Sequence, residues 1–313
     1  MMDNHLTSSD GTHSSRLAFG AMQFGGTADT AAASEMFAAC VDAGINHFDT
    51  ANVYNSGKSE EMLRKLAAPI RDKLIISSKI GYTGGSGASN IKSQFADTRR
   101  RLGTEAVDIL YLHRFDPDTP LEETFNTLAS FQSKGHIRYI GASNFAAWQV
   151  MKAQNAAHAC GTQIDIVQPM YSLVKRQAEV ELLPMCQDQG ITVASYSPLG
   201  GGLLTGKYNR ASPTGRLASD SRYAARYGLA WMHETAKALN TLAKDMNVSP
   251  ITLAVAWAKT HPSSPCPIIS ARDVQQLRPS LAALDFEMTP ELRDRISALS
   301  LTPPPATDRI EEA

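Results

Sequence analysis

The sequence predicts a single α/β domain of the (β/α)8 TIM-barrel class, and three observations carry that expectation. Strand-like and helix-like runs alternate along the chain with no linker between halves. Eight strand-like runs are found, each followed by a helix-like one, the pattern of a parallel sheet with helices outside it. The 313 residues suit one such barrel. A doubly wound sheet is the alternative. It needs a switch point and usually a glycine fingerprint, and no GxGxxG follows a strand here.

The elements follow in order. Leu17 to Met22 is a short apolar run closed by glycines, and Met36, Phe37, Cys40 and Val41 share a helix face that stops at Gly44. Ile45 to Asp49 is the second strand, and Ser59-Glu60-Glu61 opens a helix with acid at its positive end. Leu74 to Lys79 is the third strand, and Ile91, Phe95 and Leu102 mark a helix ended by Gly103. Val107 to Leu112 is almost continuously apolar, as in a strand buried on both faces. Thr119-Pro120-Leu121-Glu122 predicts a capping box with Pro at the first helical position, and Gly135 the stop.

Strand Arg138 to Ala142, a helix through Trp148 and Met151, and strand Ile164 to Gln168 come next. A helix from Glu179 to Cys186 contains Pro184, which predicts a kink or break. After strand Ile191 to Tyr196, the stretch Pro198 to Gly228 is too long for an ordinary connection and so reads as functional. Helices Leu229 to Asp245 and Pro250 to Lys259, strand Pro267 to Ser270, and helices Asp273 to Leu281 and Pro290 to Leu299 complete the domain.

Composition narrows the function classes. Hydrophobic residues are 43% and charged residues 19%, as in a globular rather than a disordered chain. The 30 Lys plus Arg are matched by 31 Asp plus Glu, so no general basic field favours nucleic acid or an anionic membrane. No apolar run approaches the roughly 18 residues of a membrane span. Residues 1–15 are polar and Ser-rich and read as a disordered or loosely ordered N-terminal arm, not a secretory signal. Residues 16–300 then form the barrel, and residues 301–313, with Pro303-Pro304-Pro305, a C-terminal tail. Cys40, Cys160, Cys186 and Cys266 form no CxxC pair, which points to free thiols, a cytoplasmic location and no metal site. Oligomeric state is not legible.

Chemistry in such a barrel gathers at the carboxyl ends of its strands. Asp49, Lys79 and His113 each close a strand run, and Tyr54 lies one short loop beyond Asp49. A lone phenol is a poor acid at neutral pH; a nearby ammonium favours its phenolate, and a carboxylate keeps that ammonium charged. His113 can hydrogen-bond a carbonyl oxygen. Together they can protonate an oxygen that is gaining negative charge. Taken singly, Asp49 reads equally as a loop cap, Tyr54 as an ordinary loop aromatic and His113 as a core histidine. Lys79 ends a buried strand, which is unfavourable without a partner. Four coincidences at equivalent strand ends favour the joint reading.

A second group suits a phosphate-bearing cofactor. Ser197-Pro198-Leu199-Gly200-Gly201-Gly202 follows a strand directly, and glycine lets backbone amides approach phosphate closely. Tyr196 offers a flat face to a heteroaromatic ring. Ser270-Ala271-Arg272-Asp273 sets a guanidinium at a helix start, suited to a phosphomonoester. The plain alternatives are a flexible loop and a surface arginine. Gly84-Gly85-Ser86-Gly87 reads as a mobile lid.

These residues resemble the aldo-keto reductase superfamily over about residues 16 to 300. Gly44-Ile45-Asn46-His47-Phe48-Asp49-Thr50-Ala51, with Tyr54 and Ser59-Glu60, is similar to its first signature. Ile76 to Lys79, Leu110 to His113, Gly141 to Phe145 and Ser195 to Gly200 match later blocks in the same order. Gly200 to Tyr208 looks most like the bacterial and potassium-channel β-subunit branch. The resemblance implies Asp49, Tyr54, Lys79 and His113 as a catalytic tetrad, with Tyr54 the general acid. It implies NADPH as cofactor: Ser143, Asn144 and Gln168 at the nicotinamide carboxamide, Tyr196 on the ring, Ser197, Leu199, Gly200 and Gly201 at the pyrophosphate. Arg272 would meet the 2′-phosphate and Gln276 the adenosine. Ser270 stands where that branch usually has glycine, and Pro279-Ser280 replaces its common Glu-Asn pair.

The expected activity is reduction of a small aldehyde or ketone by hydride transfer from NADPH. Alcohol or sugar oxidation in the reverse direction uses the same residues. A nucleotide-sensing partner subunit and an aldolase-like Schiff base on Lys79 are the other readings, and the charge-keeping Asp49 disfavours the last. Phe24, Tyr82, Arg114 and Phe115 follow strands at the same rim and are candidate substrate-pocket residues; Arg222, Tyr223, Arg226 and Tyr227 lie in the long stretch after the seventh strand.

Overall fold

The computed structural model describes residues 5–209, 215–263 and 265–312. Eight parallel strands form one sheet in the order β7-β6-β5-β4-β3-β2-β1-β8. They are β1 (Ala18–Gly20), β2 (His47–Asp49), β3 (Ile75–Ile80), β4 (Val107–Leu112), β5 (Ile137–Ser143), β6 (Ile166–Gln168), β7 (Thr192–Val193) and β8 (Ile268–Ile269). The ends meet: Cys266 N–H donates to Val193 O at 2.8 Å and Ile268 N–H to Ser195 O at 2.8 Å. The chain is a (β/α)8 barrel.

The helices follow the strands: α1 (Thr30–Asp42), α2 (Lys58–Ala67), α3 (Ala88–Leu102), α4 (Leu121–Ser133), α5 (Ala147–Ala159) and α6 (Leu182–Gln189). After β7 come α7 (Arg216–Ser219), α8 (Ser221–Tyr227), α9 (Ala230–Asp245) and α10 (Pro250–Lys259), and after β8 α11 (Val274–Leu281) and α12 (Pro290–Ser297). The kink or break expected from Pro184 is a break, which falls ahead of the proline at residues 180–181. A 3-10 turn at Gln177–Glu179 comes first, and α6 begins at Leu182, so the proline falls in its first turn, where no N–H is needed.

Strand periodicity decides what faces where. In β3, Ile76 and Ile80 pack outward against the helices, whereas Ile75 faces the barrel interior with Ile109 and Tyr111. The period of two therefore also turns Ser77 and Lys79 inward. Gly141 is required by this packing, because a Cβ there would lie 2.2 Å from the Tyr111 ring.

Three expectations are corrected. Residues 5–15 of the N-terminal arm have a defined structure. Leu6 is fully buried among Ala18, Ile75, Ile109 and Ile166 at the barrel floor. Its polar neighbours satisfy one another in a small hairpin, with Ser8 N–H on Thr12 O at 2.8 Å and Ser14 N–H on Leu6 O at 2.9 Å. One leucine gains apolar burial, and the polar residues need none.

The capping box at α4 is not formed. The helix starts one residue later than expected, with Pro120 as the N-cap and no side chain capping it, and the Thr119 hydroxyl lies before the cap, donating to Asp116 at 2.6 Å. The glycine-rich turn is also no lid: Ser86 N–H donates to Asp116 at 2.7 Å, Thr124 Oγ1 to Ser86 O at 3.0 Å and Asn90 Nδ2 to Gly85 O at 2.7 Å.

Candidate active site

Asp49, the last residue of β2, and Lys79 in β3 form a buried ion pair inside the barrel mouth. Lys79 Nζ also donates to Thr50 O at 2.7 Å. Asp49 Oδ1 accepts from Ser77 Oγ at 2.8 Å and from Gln168 Nε2 at 3.0 Å. Because Ser77 spends its hydrogen on the carboxylate, the His47 Nε2 that lies 3.2 Å from Ser77 Oγ is the protonated nitrogen. Burial lowers His47 to about 4, so it is neutral.

Burial alone would lower the pKa of Lys79; the Asp49 carboxylate and the neighbouring Tyr54 reverse that and raise it above the ordinary value. Lys79 Nζ lies 5.1 Å from the centre of the Tyr54 ring. Burial likewise raises Tyr54, against the opposing pull of the Lys79 ammonium. His113, just past β4, meets the Tyr54 ring edge-on at 5.9 Å. Burial first, and then the Lys79 charge, lower it to about 3. The mouth thus holds an ammonium, a carboxylate, a protonated phenol and a neutral imidazole.

The Tyr54 loop is fixed from outside the barrel. Asn55 and Ser56 take left-handed backbone (φ 48 and 56). Asn55 Nδ2 donates to both Met22 O and Phe24 O at 2.8 Å. Behind it, Ser78 Oγ donates to the buried Glu60 at 2.7 Å, and Ser59 Oγ to Ala21 O at 2.7 Å, locking α2 to β1 and β3.

The residues expected around a nicotinamide are linked to one another and to this cluster. Gln168 donates to Asp49, and Ser143 Oγ to Gln168 O at 3.1 Å. Asn144, at φ 59, donates to His113 O at 2.9 Å and accepts from Tyr196 Oη at 2.7 Å. Ser197 (φ 60), Gly200 (φ 56) and Gly201 (φ 65) all have left-handed backbone, and half-buried Leu199 begins their turn. Arg272 is exposed between β8 and α11. Gln276 is exposed too, its N–H held by Asp273 at 2.9 Å, and Ser270 Oγ donates to Gly20 O at 2.8 Å.

Among the pocket candidates, Tyr82 lies 5.0 Å from His113 ring to ring, with the Arg114 guanidinium 5.0 Å from its own centre. Phe115 packs edge-on to Phe145 at 5.3 Å and against Trp148 at 5.9 Å. Phe24 is corrected: it is fully buried, 5.5 Å from Phe19, and forms no pocket wall. Sequence reasoning missed Ser77, Asn55 and Trp148, which is 62% exposed beside Phe115. Period-two alternation could have found Ser77, two residues before Lys79. In the long stretch after β7, Tyr223 and Tyr227 cover the glycine turn: a Cβ on Gly201 would lie 2.9 and 2.8 Å from their rings. Residues 210–214 of that stretch lie outside the described residues.

An acid–base cluster at the carboxyl end of a (β/α)8 barrel, beside a glycine turn, has the make-up of an enzyme site that moves protons. The Aldo/keto reductase family profile matches residues 16–300, and the chain belongs to that family. It is 32% identical to an "Uncharacterized oxidoreductase YrpG" of Bacillus subtilis, covering 90% of this chain and 91% of that one. It is also 32% identical to a "Probable voltage-gated potassium channel subunit beta" of Oryza sativa subsp. japonica, over 95% and 96% of the two chains. An "L-glyceraldehyde 3-phosphate reductase" of Escherichia coli O157:H7 matches at 32% identity over 78% and 76%. Among the described residues no helix is long and apolar enough to cross a membrane.

Proposed function

We propose that this chain is an NADPH-dependent reductase of a small aldehyde or ketone, with Tyr54 as the proton donor. The observation that carries the reading is the buried Asp49–Lys79 pair beside Tyr54 and His113. The residues present fit a dinucleotide. The turn over Gly200 and Gly201 has left-handed backbone and no side chain of its own, which suits amides that approach phosphate closely, and Tyr223 and Tyr227 pack against it. Ser197, Leu199, Gly200 and Gly201 would hold the pyrophosphate, Arg272 the 2′-phosphate and Gln276 the adenosine. Tyr196 would face the ring, Ser143, Asn144 and Gln168 its carboxamide, and Ser270 adjoins Arg272. When bound, the reduced nicotinamide supplies the hydride.

The chain's own residues do the rest. His113, kept neutral, donates an N–H to the carbonyl oxygen and orients it. Tyr54 keeps its proton because burial holds its pKa above the ordinary value, and gives it up as that oxygen gains negative charge. Lys79, held charged by Asp49, stabilises the phenolate left behind. Alcohol oxidation would need Tyr54 as phenolate, so its raised pKa should make oxidation faster as pH rises. The four cysteines are free, consistent with a cytoplasmic setting.

The test is NADPH consumption against a panel of aldehydes, ketones, sugars and pyridoxal. Turnover supports the reading; tight NADPH binding with no turnover would favour a nucleotide-sensing subunit. Arg272→Ala is expected to weaken NADPH on the order of tenfold or more by dissociation constant, as for loss of a charge-assisted contact, and NADH far less. Equal effects on both would remove the 2′-phosphate assignment.

A further inference from the structure

The rim beside His113 carries a cation that the hydride chemistry does not use. Arg114 follows His113 directly and is exposed. Its guanidinium carbon lies over the Tyr82 ring, 5.0 Å from its centre, and that ring lies 5.0 Å from the imidazole. No carboxylate of the described residues forms an ion pair with it, whereas nine other pairs are made.

The nearby acids are already engaged. Asp116 accepts from Ser86 N–H at 2.7 Å, Asp118 N–H at 3.0 Å and Thr119 Oγ1 at 2.6 Å. Asp220 is held by Arg222 at 2.8 Å. Asp49 is neutralised by Lys79 inside the barrel. Asp116 and Arg114 therefore act on each other only across space, and the guanidinium has no carboxylate contact among the described residues.

A guanidinium held over an aromatic ring by cation–π attraction keeps N–H groups for an anion, and a planar fork can take two oxygens of one carboxylate or phosphate. The ring contact also limits its conformers, so less entropy is lost on binding. We propose that Arg114 recognises an anionic group of the substrate, a carboxylate or a phosphate a few bonds from the carbonyl, and so makes this a reductase of short acidic carbonyl compounds. This rests on the reductase reading. Tyr82 touches both Arg114 and His113, so an anion on the first and a carbonyl oxygen on the second would both lie beside that ring. Because Arg114 is solvent-facing, salt should weaken the preference.

The test compares matched substrates with NADPH: succinic semialdehyde against butanal, and glyceraldehyde 3-phosphate against glyceraldehyde. The proposal expects kcat/KM for at least one anionic member to exceed that of its neutral partner on the order of ten- to a hundredfold. Which pair shows it separates carboxylate from phosphate. The preference should shrink as ionic strength rises and collapse in Arg114→Met, which keeps a flexible chain over Tyr82 without the charge. The loss should lie mainly in KM for the anionic substrate. A loss in Arg114→Met equal for anionic and neutral substrates would show that Arg114 only holds Tyr82, and would overturn the proposal. Wild-type turnover of neutral aldehydes with no preference for either anion overturns it while leaving the reductase reading intact. No turnover of any carbonyl would remove both.

Discussion

Two lysines are buried in this protein, and they are held in opposite ways. Lys79, inside the barrel mouth, has a carboxylate partner in Asp49 and a carbonyl partner in Thr50. Lys259, at the end of α10 on the outer wall, has only the carbonyls of Ala283 and Leu284, the latter at 2.7 Å. Burial pushes both pKa values down. For Lys79 the Asp49 charge more than reverses it; for Lys259, Arg16 adds to the fall, Asp285 opposes it weakly, and the value settles at about 8. Neutral carbonyls satisfy an ammonium's hydrogens without compensating its charge. The lysine with a formal countercharge holds its proton far into the alkaline range, whereas Lys259 begins to lose it just above neutral pH, and the former stands beside Tyr54.

The largest effect is expected from Lys79→Met. It strands the Asp49 carboxylate with only Ser77 and Gln168 as donors, at about 3–5 kcal/mol of stability, and removes the charge behind Tyr54, lowering turnover by about a thousandfold. Denaturation and steady-state rates read the two effects. Adding Asp49→Asn should restore much of the stability and none of the activity. If the double variant regains activity, the ion pair is structural only. Lys259→Met is expected to cost about 1–3 kcal/mol, because two buried carbonyls lose their donor, and to leave kcat within about twofold; a large fall in kcat would erase the distinction between the two sites.

The smallest effect is the sign of a pH dependence. Lys259 has a folded pKa below its ordinary 10.5, so between about pH 8 and pH 10 the unfolded chain binds the proton that the folded one has released, and stability rises. Lys79 runs the other way: its raised pKa gives a contribution fully present below the ordinary lysine value and lost as pH rises through the folded one. Wild type should therefore gain on Lys259→Met as pH rises from about 7 to about 9.5. A narrowing gap would refute the Lys259 assignment.

The same contrast shows what was legible in the sequence. Asp49, Lys79 and His113 could be read because a titratable residue ending an apolar run is unusual, and strand period tells which way it points. Ser77 and Gln168 are as necessary to the carboxylate, but serine and glutamine are common residues, and their partnership with Asp49 exists only once β2, β3 and β6 are curled together. Leu6 was hidden for a similar reason: one apolar residue in a polar arm has no period, and its burial depends on the open floor of a barrel formed later in the chain. Thr119 carried a cap signature, but the helix starts one residue later and the hydroxyl donates to Asp116 three residues earlier. Asp116 also pins the Gly84–Gly87 turn from another loop. Phe24 misled because a short strand passing into a 3-10 turn breaks the alternation that would have marked it as inward-packed.

The central claim is that Tyr54 gives the proton and Lys79 with Asp49 makes it able to do so. Its most direct measurement is single-turnover NADPH oxidation by Tyr54→Phe in the presence of an aldehyde that the wild type reduces, with NADPH binding followed in the same preparation. The account predicts a dissociation constant within about twofold of wild type and a rate lower by two to four orders of magnitude, roughly the worth of a positioned general acid. A Tyr54→Phe protein that oxidises NADPH at close to the wild-type rate would contradict it.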